Sequence, residues 1–110
     1  MTIYKILLPD EWSDFEARQR FDGSAFDVRS GFIHCSSRTQ VSATAGRVFP
    51  AQPALVIVAL DERKLHDVRW EPAPNGGPFP HVYGSLPRTA VVGIYSVDGA
   101  ADIDDALPSE

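Results

Sequence analysis

Ala54-Leu55-Val56-Ile57-Val58-Ala59-Leu60 is an unbroken apolar run. A strand with one wet face alternates apolar and polar residues, whereas a strand covered on both faces reads as a continuous run. Residues 54–60 are therefore expected to form the buried central strand of a sheet. Upstream of it, Ser37 and Gln40 stand at capping-box spacing, and Val41, Ala45, Val48 and Phe49 follow at i, i+4, i+7 and i+8. This predicts a helix over 38–49, stopped by Pro50, with Val41, Ala45 and Val48 turned inward. Further upstream, residues 3–8 read as a first strand closed by Pro9. Asp10 is placed to cap a helix over 11–20, in which Trp12 and Phe15 share a face. Asp22-Gly23-Ser24 reads as its exit turn.

Downstream of the central run the pattern turns to strands. Residues 61–66 read as a short turn or single helical turn, 68–71 as a brief strand, 72–78 as a Pro/Gly loop, and 81–84 and 89–97 as two further strands. Two helices in the N-terminal half and at least five strands make an α+β domain. With 110 residues it is one domain with a real core, spanning 1–97.

Two stretches share a design: Gly31-Phe32-Ile33-His34-Cys35-Ser36 and Phe79-Pro80-His81-Val82-Tyr83-Gly84. Strand side chains alternate, so Phe32, His34 and Ser36 share one face while Ile33 and Cys35 suit the core. Likewise Phe79, His81 and Tyr83 share a face and Val82 points inward. The expectation is one concave, aromatic-walled pocket holding both imidazoles, with Glu71 nearby. Imidazole donates, accepts and ligates near neutral pH, which suits it to acid–base work in such a pocket. Each histidine taken alone also has a structural reading as a hydrogen-bonded, half-buried side chain.

The formal charge of −5 comes wholly from the five acids of residues 98–110, so residues 1–97 are neutral. The body has no basic excess to attract nucleic acid. Residues 98–110 read as an acidic C-terminal tail, loosely packed and solvated. A single cysteine excludes an internal disulfide and points to a reducing compartment. No window is apolar enough to span a membrane, and residues 1–9 lack the basic start and apolar run of a signal peptide. A cytoplasmic protein with no membrane partner is expected.

Other features read more plainly. His34 and Cys35 are adjacent in a strand and point apart, so they cannot chelate one metal together. Cys35 faces the core with no local base, which argues against a nucleophile. His66 reads as a surface residue, Trp12 and Trp70 as core, and Asn75-Gly76-Gly77 as a flexible turn. Glu71 has two readings: a group that hydrogen-bonds sugar hydroxyls or stabilises positive charge in glycosidic chemistry, or a strand-end salt bridge with Arg69 or another basic residue.

The spread of these residues resembles a small bacterial family, domain of unknown function 952. The resemblance rests on Tyr4-Lys5-Ile6 with Trp12, the two histidine stretches, Gln40 with Thr44-Ala45 and Phe49, and Trp70-Glu71. It covers residues 2–97. The family carries no established activity, but its fold is similar to that of ADP-ribosyltransferases: two splayed, mainly antiparallel sheets around a cleft that holds NAD. The resemblance implies that Tyr4 or Lys5 occupies the first-strand ligand position, where such transferases have His or Arg. His34 would take the second position, and Glu71 or His81 the later one. It thus implies His34, His81 and Glu71 as catalytic groups, with Phe32, Ser36, Phe79, Tyr83, Tyr4 and Lys5 around the ligand. NAD enters as a candidate substrate, and no resident cofactor or metal is signalled. Two classes of function follow: an enzyme acting on NAD or a related nucleotide glycosidic bond, or a non-catalytic module that binds a small metabolite or nucleotide in the same cleft. A purely structural partner protein would leave the histidine pair unexplained.

Overall fold

The apolar run forms β4 (Leu55–Asp61), which lies between β1 (Thr2–Leu7) and β8 (Val91–Val97) in a three-stranded antiparallel sheet. The computed structural model describes residues 1–109. Every side chain from Leu55 to Leu60 is buried, because both faces of this sheet are covered. On one face Val56, Val58 and Leu60 meet Ile3, Leu7 and Phe15. On the other, Leu55, Ile57 and Ala59 meet Tyr4, Ile6, Val41 and Ala45. Burying one such Val, Leu or Ile side chain contributes about 1.5–3 kcal/mol, so this double-faced strand anchors the domain.

The remaining elements pack around that sheet. In chain order α1 (Pro9–Arg18) and β2 (Arg20–Phe21) follow β1, and then come α2 (Ala25–Ser30), β3 (Ile33–His34) and α3 (Val41–Val48). After β4 come β5 (Val68–Glu71), β6 (Phe79–Val82) and β7 (Leu86–Pro87), and α4 (Ile103–Ala106) follows β8. A second three-stranded sheet has the order β3-β6-β5, and β2 pairs with β7 in a two-stranded ribbon. All pairings are antiparallel. The described residues form an α+β domain with antiparallel sheets and four α-helices.

Several expectations are corrected. The N-terminal half holds three helices, not two. The unexpected α2 has a capping box in which Ser24 Oγ accepts from Asp27 N and the Asp27 carboxylate accepts from Ser24 N. It ends at Gly31 with φ +87°, a left-handed value that suits glycine. Helix α1 starts at Pro9 rather than after Asp10. Proline tolerates the first helical position, and Glu11 reaches back to Leu8 N. Helix α3 is shorter than 38–49 and leaves Val48 half exposed, because Phe49 turns to the core in its place.

The end of the chain also differs from the loose tail expected after residue 98. There α4 buries Ile103 and Leu107 against α3 and the outer face of the central sheet. Arg38 fastens it, donating to Asp104 Oδ1 and to the backbone carbonyls of Asp104, Leu107 and Pro108. Asp98, Asp102, Asp104 and Asp105 face outward while Ile103 and Leu107 pack inward. Among the described residues no helix is long and apolar enough to cross a membrane.

Candidate functional site

The site is built on one face of the β3-β6-β5 sheet. Ile33, Cys35 and Val82 point to the core on the other face. His34 and His81 are directly opposed across β3 and β6, and Arg69 is opposite His81 on β5. One step along, Glu71 is opposite Phe79. Alternation continues this face to Phe32 and Tyr83 on one side of the histidines and to Ser36 on the other. Two-residue periodicity thus brings seven of the nine expected site residues to one surface.

The two imidazole centroids are 5.6 Å apart. Each ring is held by its own carboxylate: His34 Nδ1 lies 2.6 Å from Asp27 Oδ1, and His81 Nδ1 lies 2.7 Å from Glu71 Oε1. A carboxylate at Nδ1 fixes the neutral ring with its proton on that nitrogen, leaving the Nε2 lone pair for a ligand. Tyr83 Oη donates to the same Glu71 oxygen at 2.7 Å, and the Arg69 guanidinium sits 4.1 Å from the Tyr83 ring centre. The bond from His81 and then that from Tyr83 hold the Glu71 carboxyl below its ordinary range. The Tyr83 phenol moves the opposite way, raised chiefly by the hydrogen bond it donates to the Glu71 carboxylate.

Asp27 is 2% exposed and takes four hydrogen bonds: from Lys5 Nζ, Ser24 N, His34 N and His34 Nδ1. Burial opposes its charge, but the bond from His34 and the Lys5 ammonium outweigh this, and its pKa falls well below the usual carboxylate range. Because β3 is an edge strand, the His34 N–H would otherwise face no partner strand, and Asp27 supplies one. Sequence reasoning missed Asp27. Its signal was the Ser24-Ala25-Phe26-Asp27 capping box, seven residues ahead of His34.

Aromatic rings cover the pair. Phe32 stacks on His81 at 4.0 Å and leans on His34 at 4.6 Å, while Phe26, also unforeseen, stacks on the outer side of His34 at 4.6 Å. In consequence His81 is 11% and His34 31% exposed at the side chain. Phe32 thus covers one face of the His81 ring and Phe26 one face of the His34 ring. The adjoining cavity, about 430 Å³, lies one row along the sheet at Phe79 and Thr44, and no imidazole lines it. Ser36 is buried and bonds Thr44 Oγ1 at its edge.

The two first-strand residues lie elsewhere. Tyr4 points to the opposite side of β1 and is buried with Val41 and Ala45. Lys5 is engaged by Asp27 and by the His34 carbonyl, each at 2.9 Å, so it positions the His34 strand rather than facing a ligand. Burial pushes the Cys35 thiol up to about 12, which keeps it protonated and inert. Among the described residues no group of three or more His, Cys, Asp or Glu side chains is arranged to hold a metal ion.

Residues 6–94 match the family model described as "Protein of unknown function (DUF952)". The crystal structure of protein CC0527 from Caulobacter crescentus superposes with a TM-score of 0.82 at 38% identity, over 90% of this chain and 91% of that one. The solution NMR structure of CC0527 gives 0.74 at 40% identity, over 88% and 83%. No curated protein matches the chain. These similarities carry no activity with them, and they lend no support to the transferase-like fold that the resemblance implied.

Proposed function

The chain belongs to the DUF952 family, and we propose that it is an enzyme acting on the glycosidic bond of NAD or a related nucleotide, in the manner of an ADP-ribosyltransferase-like fold. The observation that carries this reading is the opposed pair His34 and His81, each held at Nδ1 by a carboxylate. Two such rings on one face can serve as base and acid for one small reactant. The bond between the ribose anomeric carbon and the nicotinamide nitrogen breaks, and its electron pair leaves with neutral nicotinamide. Ionised Glu71 stabilises the positive charge that develops on the sugar. An imidazole Nε2 takes the proton of the water or acceptor hydroxyl that then bonds to the anomeric carbon. The first strand contributes no ligand-facing group, since Lys5 is spent on Asp27. The chemistry therefore rests on the histidines rather than on the first-strand His or Arg of true transferases.

One observation favours a second reading, a module that binds a nucleotide or small metabolite without turnover. Phe32 stacks directly on His81, so an aromatic surface that could hold a flat ligand ring adjoins the imidazole pair. Nicotinamide release from NAD by purified protein separates the two. The enzyme reading expects release that falls about 10²–10⁴-fold in His34→Ala or His81→Ala. Saturable binding with no release over hours supports the module. No binding of NAD, ADP-ribose or mononucleotides at millimolar concentration defeats both.

A further inference from the structure

The cavity beside the histidines has a polarity that the pair itself does not explain. One wall is a single stripe of α3 and its leading turn, Gln40, Ala43, Thr44 and Arg47, at i, i+3, i+4 and i+7. The other is formed by residues 75–77 and Phe79. Gln40 Nε2 donates to the carbonyls of Gly76 and Pro78 at 2.9 and 2.7 Å, tying the loop to the helix and fixing the width of the slot. A side chain at Gly77 would meet the Ala73 backbone nitrogen at 2.6 Å, so this wall requires glycine. The slot's volume of about 430 Å³ falls in the range of small-molecule sites.

Charge distinguishes this slot from a second cavity. That one, about 260 Å³, is lined by Asp22 and Asp27 and by no cation. The slot carries Arg47 and no carboxylate, in a chain of net charge −5. The Arg47 side chain makes no ion pair or hydrogen bond with another described residue, unlike those of Arg18, Arg20, Arg38, Arg63, Arg69 and Arg88. The slot is also continuous with the catalytic face. Phe79 lines it and precedes His81 by the two-residue strand repeat, and Thr44 bonds Ser36, which follows His34 by the same repeat.

We propose that this slot is the phosphate-binding half of the substrate site: Arg47, with Thr39, Thr44 and Asn75 around it, takes the phosphate groups of a ligand whose reacting bond lies at His34 and His81. An unpaired guanidinium can bind phosphate through two parallel N–H donors. The aromatic face of Phe79 lies between that anion and the imidazoles and offers a stacking surface to the ligand's ring. The assignment of the reacting end rests on the reading given under Proposed function, whereas the phosphate subsite stands on the slot alone.

The test is a titration of ¹⁵N-labelled protein with pyrophosphate and with ADP, followed through backbone amide shifts. Residues 39–47 and 75–79 should move and saturate. Arg47→Gln should weaken both ligands about tenfold or more, while Arg47→Lys keeps most of the affinity and Arg20→Gln changes nothing. Arg47 is exposed and unpaired, so its replacement leaves the folded spectrum intact. Slot amides that stay still at millimolar pyrophosphate and ADP, or equal affinity in Arg47→Gln, overturn the proposal. Pyrophosphate binding in the slot without nicotinamide release from NAD would leave the subsite standing and remove the enzyme reading. Nicotinamide release with a KM unchanged by Arg47→Gln would do the reverse.

Discussion

His34 and His81 face each other across neighbouring antiparallel strands, and each gives its Nδ1 to a different carboxylate. They sit at a non-hydrogen-bonded position of the ladder, since Cys35 N bonds the Pro80 carbonyl one residue further on. Side chains approach closer at such positions than at hydrogen-bonded ones. The pairing is therefore set by strand register, and the proton arrangement by Asp27 and Glu71.

Asp27→Asn should be strongly destabilising, because it leaves the Lys5 ammonium buried without its counter-charge. Breaking one side of a buried pair costs about 3–5 kcal/mol, measurable by urea unfolding at neutral pH. The folded pKa of Asp27 is depressed below its unfolded value of about 3.9. Its stabilisation is thus complete above that value and is lost as pH falls toward the folded pKa. The gap between wild type and variant should narrow below about pH 4. A gap that widens on acidification would contradict the network.

Tyr83→Phe removes one of two hydrogen bonds that hold Glu71 ionised. The Glu71 carboxyl should then titrate at higher pH than in wild type, though still below its ordinary value because His81 remains. Carbon NMR of the side-chain carboxyl reads this directly. An unchanged or lower titration point would show that Tyr83 does not tune Glu71.

The end of the chain offers a third test. Leu107→Ala should cost about 2–5 kcal/mol, as for a buried leucine in any core. Thermal unfolding of Leu107→Ala beside Ala106→Gly, an exposed neighbour, separates the outcomes. Equal, small effects at both positions would restore the loose tail.

In α3, Val41→Ala and Val48→Ala should differ although both positions fit one helical stripe. Val41 is fully buried and Val48 is 50% exposed. The first should cost about 1.5 kcal/mol or more and the second under about 0.5. Similar losses would mean that Val48 is packed after all.

These corrections show what was legible and what was not. The central strand could be read because a seven-residue apolar run has one physical explanation, two covered faces. The shared face of His34 and His81 followed from alternation, which needs no tertiary knowledge once both stretches are strands. Helix α2 was hidden because it is six residues long and exposes Phe26 and Val28, so it has no apolar stripe to detect. Its loss from the reading concealed Asp27 and with it the partner of His34. The two-residue strands β2 and β7 are too short for any periodicity. In the C-terminal segment, five acids masked Ile103 and Leu107, which stand four apart on one face.

The most direct test of the paired-histidine account is the imidazole ¹⁵N spectrum, recorded at a pH where the rings are neutral, with and without NAD. In the free protein both rings should be the tautomer protonated at Nδ1, each with a bare Nε2. On adding NAD, both Nε2 signals should shift along one saturation curve, since both face the same ligand. A ring protonated at Nε2, or a response from one histidine alone, would contradict a shared site built on this pair.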